Sequence, residues 1–196
     1  MKARKCANPA CRSEFTPAFS TTQKVCKWQC GLAIKDKNHD KARKAIASQE
    51  RVEHREAKEK VKPRAKWLKE AEAAVNKYVR LRDAHLGCVS CDKPATWNGQ
   101  WHASHLRSVG SSSATRFSLW NINKSCSICN AHLSGNLVSY LPRLRAKIGD
   151  AKVDWLYTQN QPVTYTVEYL KRLKTIFTKK ARRLEKRLLA DGWQPN

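Results

Sequence analysis

Two Cys-x2-Cys knuckles, Cys88/Cys91 and Cys126/Cys129, constrain this chain more than any other feature. Four thiolates in two such pairs close a tetrahedral zinc site, and a closed zinc site contributes folding free energy directly. A short, loop-rich module can then hold together without a large core. The segment between the knuckles carries His102, His105 and Asn121, and Asn130 follows the second knuckle. A redox reading of Cys88-x2-Cys91 fails on the second pair and on the missing βαβ pattern.

A second four-cysteine set, Cys6-x4-Cys11 and Cys26-x3-Cys30, lies near the start of the chain. With turn chemistry at Asn8-Pro9 and Gly31 it is expected to form a small zinc knuckle over residues 1–34. The competing reading is a set of free thiols on a poorly ordered tail. Polar residues (Asn8, Arg12, Glu14) stand where a signal peptide would be apolar. A reducing, cytoplasmic compartment is therefore expected, where cysteines serve as metal ligands rather than as disulfides.

Lysine and arginine number 39 against 16 acids, a net charge of +23. Such an excess calls for a polyanion, with nucleic acid the leading candidate. No apolar run reaches the ~18 residues of a membrane-spanning helix, so no membrane partner is expected.

The charge is spread over four regions. After the first knuckle comes a basic helical arm over 35–86. Its first part is polar all round, Pro63 interrupts it, and beyond Pro63 Trp67/Leu68, Ala71, Val75, Tyr78 and Arg82 recur at helical spacing. The cysteine module spans 87–150. Asn98-Gly99 between Thr96-Trp97 and Gln100-Trp101-His102 predicts a tight hairpin with a type I′ turn. Leu133, Leu137, Tyr140/Leu141, Leu144 and Ile148 predict a helix closed by Gly149 and kinked or split at Pro142. Residues 151–196 hold a basic amphipathic helix, capped by Thr164 or Thr166. Its apolar stripe is Leu170, Leu173, Phe177, Ala181, Leu184 and Leu188, fit to pack on the module or on a second copy. Its basic face is Arg172, Lys179, Arg182, Arg183, Lys186 and Arg187, expected to lie along DNA.

The order Cys-x2-Cys, a His at a strand end, a loop Asn, then Cys126-x2-Cys129-Asn130 resembles the HNH, or ββα-metal, endonucleases. Within them the chain resembles the phage NinG (Rap) recombination nucleases. The residues that carry this are His105-Leu106-Arg107-Ser108-Val109-Gly110, Arg116-Phe117, Asn121 and Leu133-Ser134-Gly135-Asn136. The resemblance implies an α+β fold: a zinc-held ββα-metal (HNH-like) nuclease core, long flanking helices and an N-terminal zinc knuckle. It implies a divalent-metal-dependent endonuclease acting in the host cytoplasm on branched recombination intermediates (Holliday junctions, D-loops, flaps), with a homodimer and contacts to recombination proteins expected.

The expected site follows from residue types. His105 is the general base, as a neutral imidazole suits that task near pH 7. His102 and Asn130 are expected to hold a catalytic Mg2+ or Mn2+. Many sites of the HNH family that the chain resembles carry an Asp or His ligand directly before the base, where this chain has Ser104, a poor ligand, so His102 stands in, and a His there favours softer ions than a carboxylate would. Asn121 is expected to orient His105. Arg107, Arg116 and Lys124 are expected to contact phosphates, together with the C-terminal cations. Two other readings fit the composition. One is a non-catalytic zinc-dependent DNA-binding recombination accessory or regulator. The other is an RNA-binding zinc protein.

Overall fold

The computed structural model describes residues 2–193. They form two compact units that divide between Lys62 and Pro63. The fold is α+β, and the helical stretch expected over 35–86 is two helices belonging to different units.

In the first unit, strands β1 (Arg4–Lys5) and β2 (Glu14–Phe15) pair antiparallel. The turn between them is built by Asn8. Its carbonyl accepts from Cys11 and Arg12, and its side chain accepts from the Ala10 amide at 3.1 Å. Helix α1 (Trp28–Ala33) carries Cys30, and α2 (Lys35–Lys60) follows. No residue of α2 whose side chain is described is buried, as a helix polar on every side requires.

The second unit begins where Pro63 occupies the cap of α3 (Arg64–Arg82), a place that costs a proline nothing. Trp67, Ala71, Val75 and Val79 form one buried stripe on α3. Against it lies α6 (Val167–Ala190), which buries Leu170, Phe177 and Ala181. Ion pairs Glu70–Lys174 (2.8 Å) and Lys77–Glu185 (2.9 Å) rise together in both sequences, so the two helices run parallel. The apolar stripe of α6 is thus covered within the chain. Thr166 caps α6 by accepting from the Tyr169 amide.

Strands β3 (Trp101–His105) and β4 (Ile122–Cys126) form an antiparallel ribbon, with Trp101 opposite Cys126 and His105 opposite Ile122. This replaces the tight hairpin expected at Asn98-Gly99. A type I′ turn needs positive φ at both central residues, and neither Asn98 nor Gly99 has it. Gly99 instead passes under the Trp97 ring, where a Cβ would collide. Trp97 and Trp101 meet edge to face, 5.1 Å apart, beside the cysteines.

Beyond the second knuckle, Ser134, Gly135 and Asn136 all have positive φ, and the chain then enters α4 (Leu137–Ile148). Helix α4 runs unbroken through Pro142. The carbonyl that Pro142 leaves without its helical donor belongs to Val138, an exposed residue in the first turn of the helix. Gly149 (φ 88°) ends α4 and starts α5 (Asp150–Thr158). Leu106, Tyr140, Leu144, Val153 and Leu156 make a second core between these helices and the loop after β3.

Candidate metal centres and the residues around them

The two four-cysteine sets converge. Within each, the four sulfurs lie within 4.8 Å of one another. Neighbouring sulfurs stand 3.6 Å (Cys11–Cys26), 3.7 Å (Cys26–Cys30) and 3.8 Å (Cys91–Cys126) apart. Zn–S bonds of ~2.3 Å at tetrahedral angles put sulfurs roughly 3.8 Å apart, whereas a disulfide needs ~2.05 Å. Both sets are therefore consistent with zinc sites.

The central set is prepared for thiolates. The Ser90 and Cys126 amides donate to Cys88 Sγ at 3.3 and 3.2 Å, and the Cys129 amide donates to Cys126 Sγ at 3.4 Å. Burial raises the Cys88 thiol, but the Ser125 hydroxyl and those amides outweigh it and bring it down to about 7. Fewer protons then have to be displaced when a metal binds. In the first unit, the Ser13 hydroxyl, 2.7 Å from Cys11 Sγ, and the Ser13 amide draw Cys11 down to about 6.

Beside the central cysteines, the Asn130 amide meets His102 Nδ1 at 3.1 Å. Two groups bound side by side to one ion at ~2.1 Å stand roughly 3 Å apart. An amide turned over presents oxygen in place of nitrogen with the same shape. As placed, the amide nitrogen faces the ring nitrogen as a hydrogen-bond partner, and the two side chains lie side by side. His102 also lines a cleft of about 790 Å3 with Lys77, Arg80, His85 and Trp101. His85 carries no motif, and nothing in its sequence neighbourhood signalled that position.

His105 sits elsewhere. Residues 102 and 105 differ in parity along an unbroken strand, so their side chains leave opposite faces of the ribbon. His105 Nε2 donates to the Arg116 carbonyl at 3.1 Å, which leaves Nδ1 with its lone pair. Burial lowers the His105 pKa and favours the neutral ring. The structure thus joins His102 to Asn130 and holds His105 apart from both.

The Asn121 side chain makes no hydrogen bond to the imidazole among the described residues. It is fully buried, accepts from the Arg107 amide at 2.8 Å and donates to the Arg107 and Thr115 carbonyls at 3.0 and 3.2 Å. It closes the loop that carries the Arg116 carbonyl, and so acts on His105 only through that loop.

Two expected phosphate contacts are differently employed. Arg107 spends its guanidinium on the carbonyls of Leu156, Tyr157, Gln159 and Ser111. Lys124 is buried, donates to the Ala84 carbonyl at 3.1 Å and lies 4.1 Å over the Trp101 ring. Both are internal clasps, their cationic heads held by backbone carbonyls of other segments. Arg116 is half-buried and 3.9 Å from Glu72. By contrast Arg172, Lys179, Arg182, Arg183 and Lys186 are exposed on α6 and make no ion pair among the described residues.

A buried hub was missed altogether. Asp83, at the end of α3, receives the Arg82 guanidinium at 2.7 and 2.9 Å, the Lys147 ammonium at 3.0 Å and the Lys124 amide at 3.2 Å. It ties α3, β4 and α4 together around the cysteine module. Burial opposes its charge, but the two cations prevail and hold its carboxyl below the usual carboxylate range.

Comparison with known proteins bears on this architecture as a whole. The family described as NinG, Bacteriophage Lambda NinG protein, matches residues 1–187. The chain belongs to the NinG family. Protein ninG of Escherichia phage lambda is 36% identical over 192 residues, spanning 92% of this chain and 93% of that protein. Protein ninG of Salmonella phage P22 is 37% identical over 192 residues, with the same coverage. Protein ninG of Enterobacteria phage H19B is 34% identical over 186 residues, covering 87% and 88%. No solved structure matches the chain. Among the described residues, no helix is long and apolar enough to cross a membrane.

Proposed function

We propose that this NinG family chain is a zinc-held, divalent-metal-dependent endonuclease that hydrolyses phosphodiesters in branched recombination DNA. The observation that carries the reading is the 3.1 Å meeting of His102 and Asn130 at the edge of the four-cysteine centre. A protein that only binds DNA has no need of paired ligands there. The two cysteine sets would each hold a structural zinc ion.

His102 and Asn130 would hold the catalytic ion, which when bound neutralises charge on a phosphate oxygen and assists the leaving oxygen. His105 supplies the base. With Nε2–H committed to the Arg116 carbonyl, Nδ1 is the atom that takes the proton of the attacking water. The Arg116 carbonyl then stabilises the imidazolium that forms. Because His102 and His105 leave opposite faces, the reading requires DNA to be engaged at the end of β3, where His105 is the last residue. The exposed cations of α6 track the phosphates outside the site.

A second reading has a specific observation behind it. The opposite-face placement of His105 suits a zinc-dependent DNA-binding accessory in which this histidine merely pins the 106–121 loop. The test is direct. Purified, zinc-loaded chain is incubated with a four-way junction, a flap and a linear duplex, with and without Mg2+ or Mn2+. Cleavage that needs the added ion and favours branched substrates is expected. Tight binding with no cleavage under any ion selects the accessory reading.

A further inference from the structure

One surface of the second unit has no part in the metal centres. Trp120, at the end of the loop that joins β3 to β4, and Trp155, on α5, meet edge to face with ring centroids 5.3 Å apart. They are 39% and 43% exposed. Together with Ser118, Leu119, Ala151 and Lys152 they line a mostly apolar groove of about 600 Å3. Two half-exposed indoles cooperating in one groove are a patch that calls for an occupant.

The rings stand on fixed backbone. The Leu119 carbonyl accepts from Arg82 at 2.8 Å and the Trp120 carbonyl accepts from Asn123 at 3.1 Å. Trp155 lies between Val153 and Leu156, both buried with no exposed area. Little ordering is therefore left to be done on binding. The charge is also set. The nearby acids of α5, Asp150 and Asp154, are both occupied by Arg145, at 2.8 and 2.7 Å. Lys152 makes no ion pair among the described residues; its ammonium lies 5.7 Å from the Trp120 ring centre, where a phosphate beside a stacked base would find it.

We infer that the Trp120–Trp155 groove is a stacking site for an unpaired nucleobase of single-stranded DNA, with Lys152 taking the adjoining phosphate. The inference rests on the proposal that the partner is DNA, and does not depend on cleavage. A paired duplex hides its base faces, so only unpaired nucleotides offer the flat apolar surface that two crossed indoles accept. Such nucleotides occur in the flaps and D-loops the chain is proposed to act on. Stacking is tolerant of base identity, because every base has a π-face.

The experiment measures binding of the full zinc-loaded chain, without added Mg2+ or Mn2+, to a short oligothymidylate, an abasic strand of equal length and a blunt duplex. Trp120→Ala and Trp155→Ala should each weaken oligothymidylate binding by roughly 5- to 150-fold, the range a lost base–aromatic stack gives. They should leave the abasic strand and the duplex within about twofold, since phosphate contacts elsewhere are untouched. Trp155→Phe, which keeps a ring, should recover most of the loss. Zinc content and melting equal to wild type guard against misfolding, and if one Ala variant fails to fold the other carries the test. Oligothymidylate affinity unchanged in the variants overturns the stacking site and leaves the DNA reading intact. An equal loss on the abasic strand also overturns it, showing a phosphate or protein-packing role. Wild type binding none of the three overturns the DNA reading and this inference with it.

Discussion

Asp83→Ala should cost the second unit about 3 kcal/mol at pH 7. The Asp83 side chain is 3% exposed and satisfies one buried amide, that of Lys124, and two cations. Removing one partner of a buried ion pair typically costs ~3–5 kcal/mol because the other charge is stranded. Here the strandings are partial. The Arg82 and Lys147 side chains are 25% and 28% exposed and regain some water. Arg82 also keeps the carbonyls of Leu119 and Ile122, at 2.8 and 2.9 Å. The orphaned Lys124 amide adds ~1–3 kcal/mol, which leaves the sum near the lower end of the range for a buried pair. Urea unfolding of zinc-saturated protein followed by tryptophan fluorescence is the assay. Six of the seven tryptophans lie in the second unit, so the signal reports that unit. The pH dependence has a fixed sign. The folded Asp83 pKa lies below its unfolded value near 3.9. Its contribution is complete above that unfolded value and is lost as pH falls through the folded one. The gap between wild type and variant should therefore be constant from about pH 8 to pH 5 and close only in stronger acid. A gap under ~1 kcal/mol at pH 7, or one that shrinks already between pH 7 and 5, refutes the buried-hub account. Asp92→Ala is the control: its pair with Arg143 is 93% exposed on the Asp92 side, and no measurable change is expected.

Elemental analysis of chain purified without added metal should find two zinc ions per molecule, as the two converged cysteine sets require; a strong chelator should unfold the central module, and a zinc content near zero would sink both centres. Arg107→Ala and Lys124→Ala should lower stability without changing the salt dependence of DNA binding, because both cations are spent inside the fold. Lys179→Ala and Arg183→Ala should do the reverse, each lowering the slope of log affinity against log salt by about one; a slope that changes with Arg107 and not with Lys179 would move the DNA interface off α6. The pH–rate profile of cleavage should have an acid limb below 6.5, since burial lowers the His105 pKa and its base form survives to lower pH; a limb above 6.5 would assign the base elsewhere.

What the sequence disclosed depended on how local the physics is. Cysteine spacing is local, and both converged sets follow from it. So are the amphipathic stripes of α3 and α6, the cap at Thr166 and the stop at Gly149. Pairing across the 16-residue loop between β3 and β4 is not local, and there the Asn-Gly turn signal pointed to the wrong partner. The Leu133-Ser134-Gly135-Asn136 stretch, carried by resemblance, turns out to be backbone geometry: three successive residues with positive φ. Cations posed the hardest problem. Arg107, Lys124 and Lys179 look alike in sequence, yet two are internal clasps and one is exposed on α6 with no ion pair among the described residues. Only tertiary burial separates them. The Asp83 hub was invisible for the same reason, since two of its partners, Lys124 on β4 and Lys147 on α4, lie far along the chain.

The central claim is tested most directly by single-turnover cleavage of a four-way junction, wild type against His105→Ala, in Mg2+ or Mn2+ and with junction binding measured in parallel. Loss of a general base costs ~10²–10⁴ in rate. Affinity, which comes from many dispersed cations, should stay within about twofold. His102→Ala and Asn130→Ala should also lose cleavage, with Asn130→Ala partly rescued by excess Mn2+. A rate fall of that size at unchanged affinity, zinc content and melting is the predicted result. Wild-type cleavage by His105→Ala would contradict the account, and no cleavage by the wild-type chain with any ion would leave a DNA-binding accessory in its place.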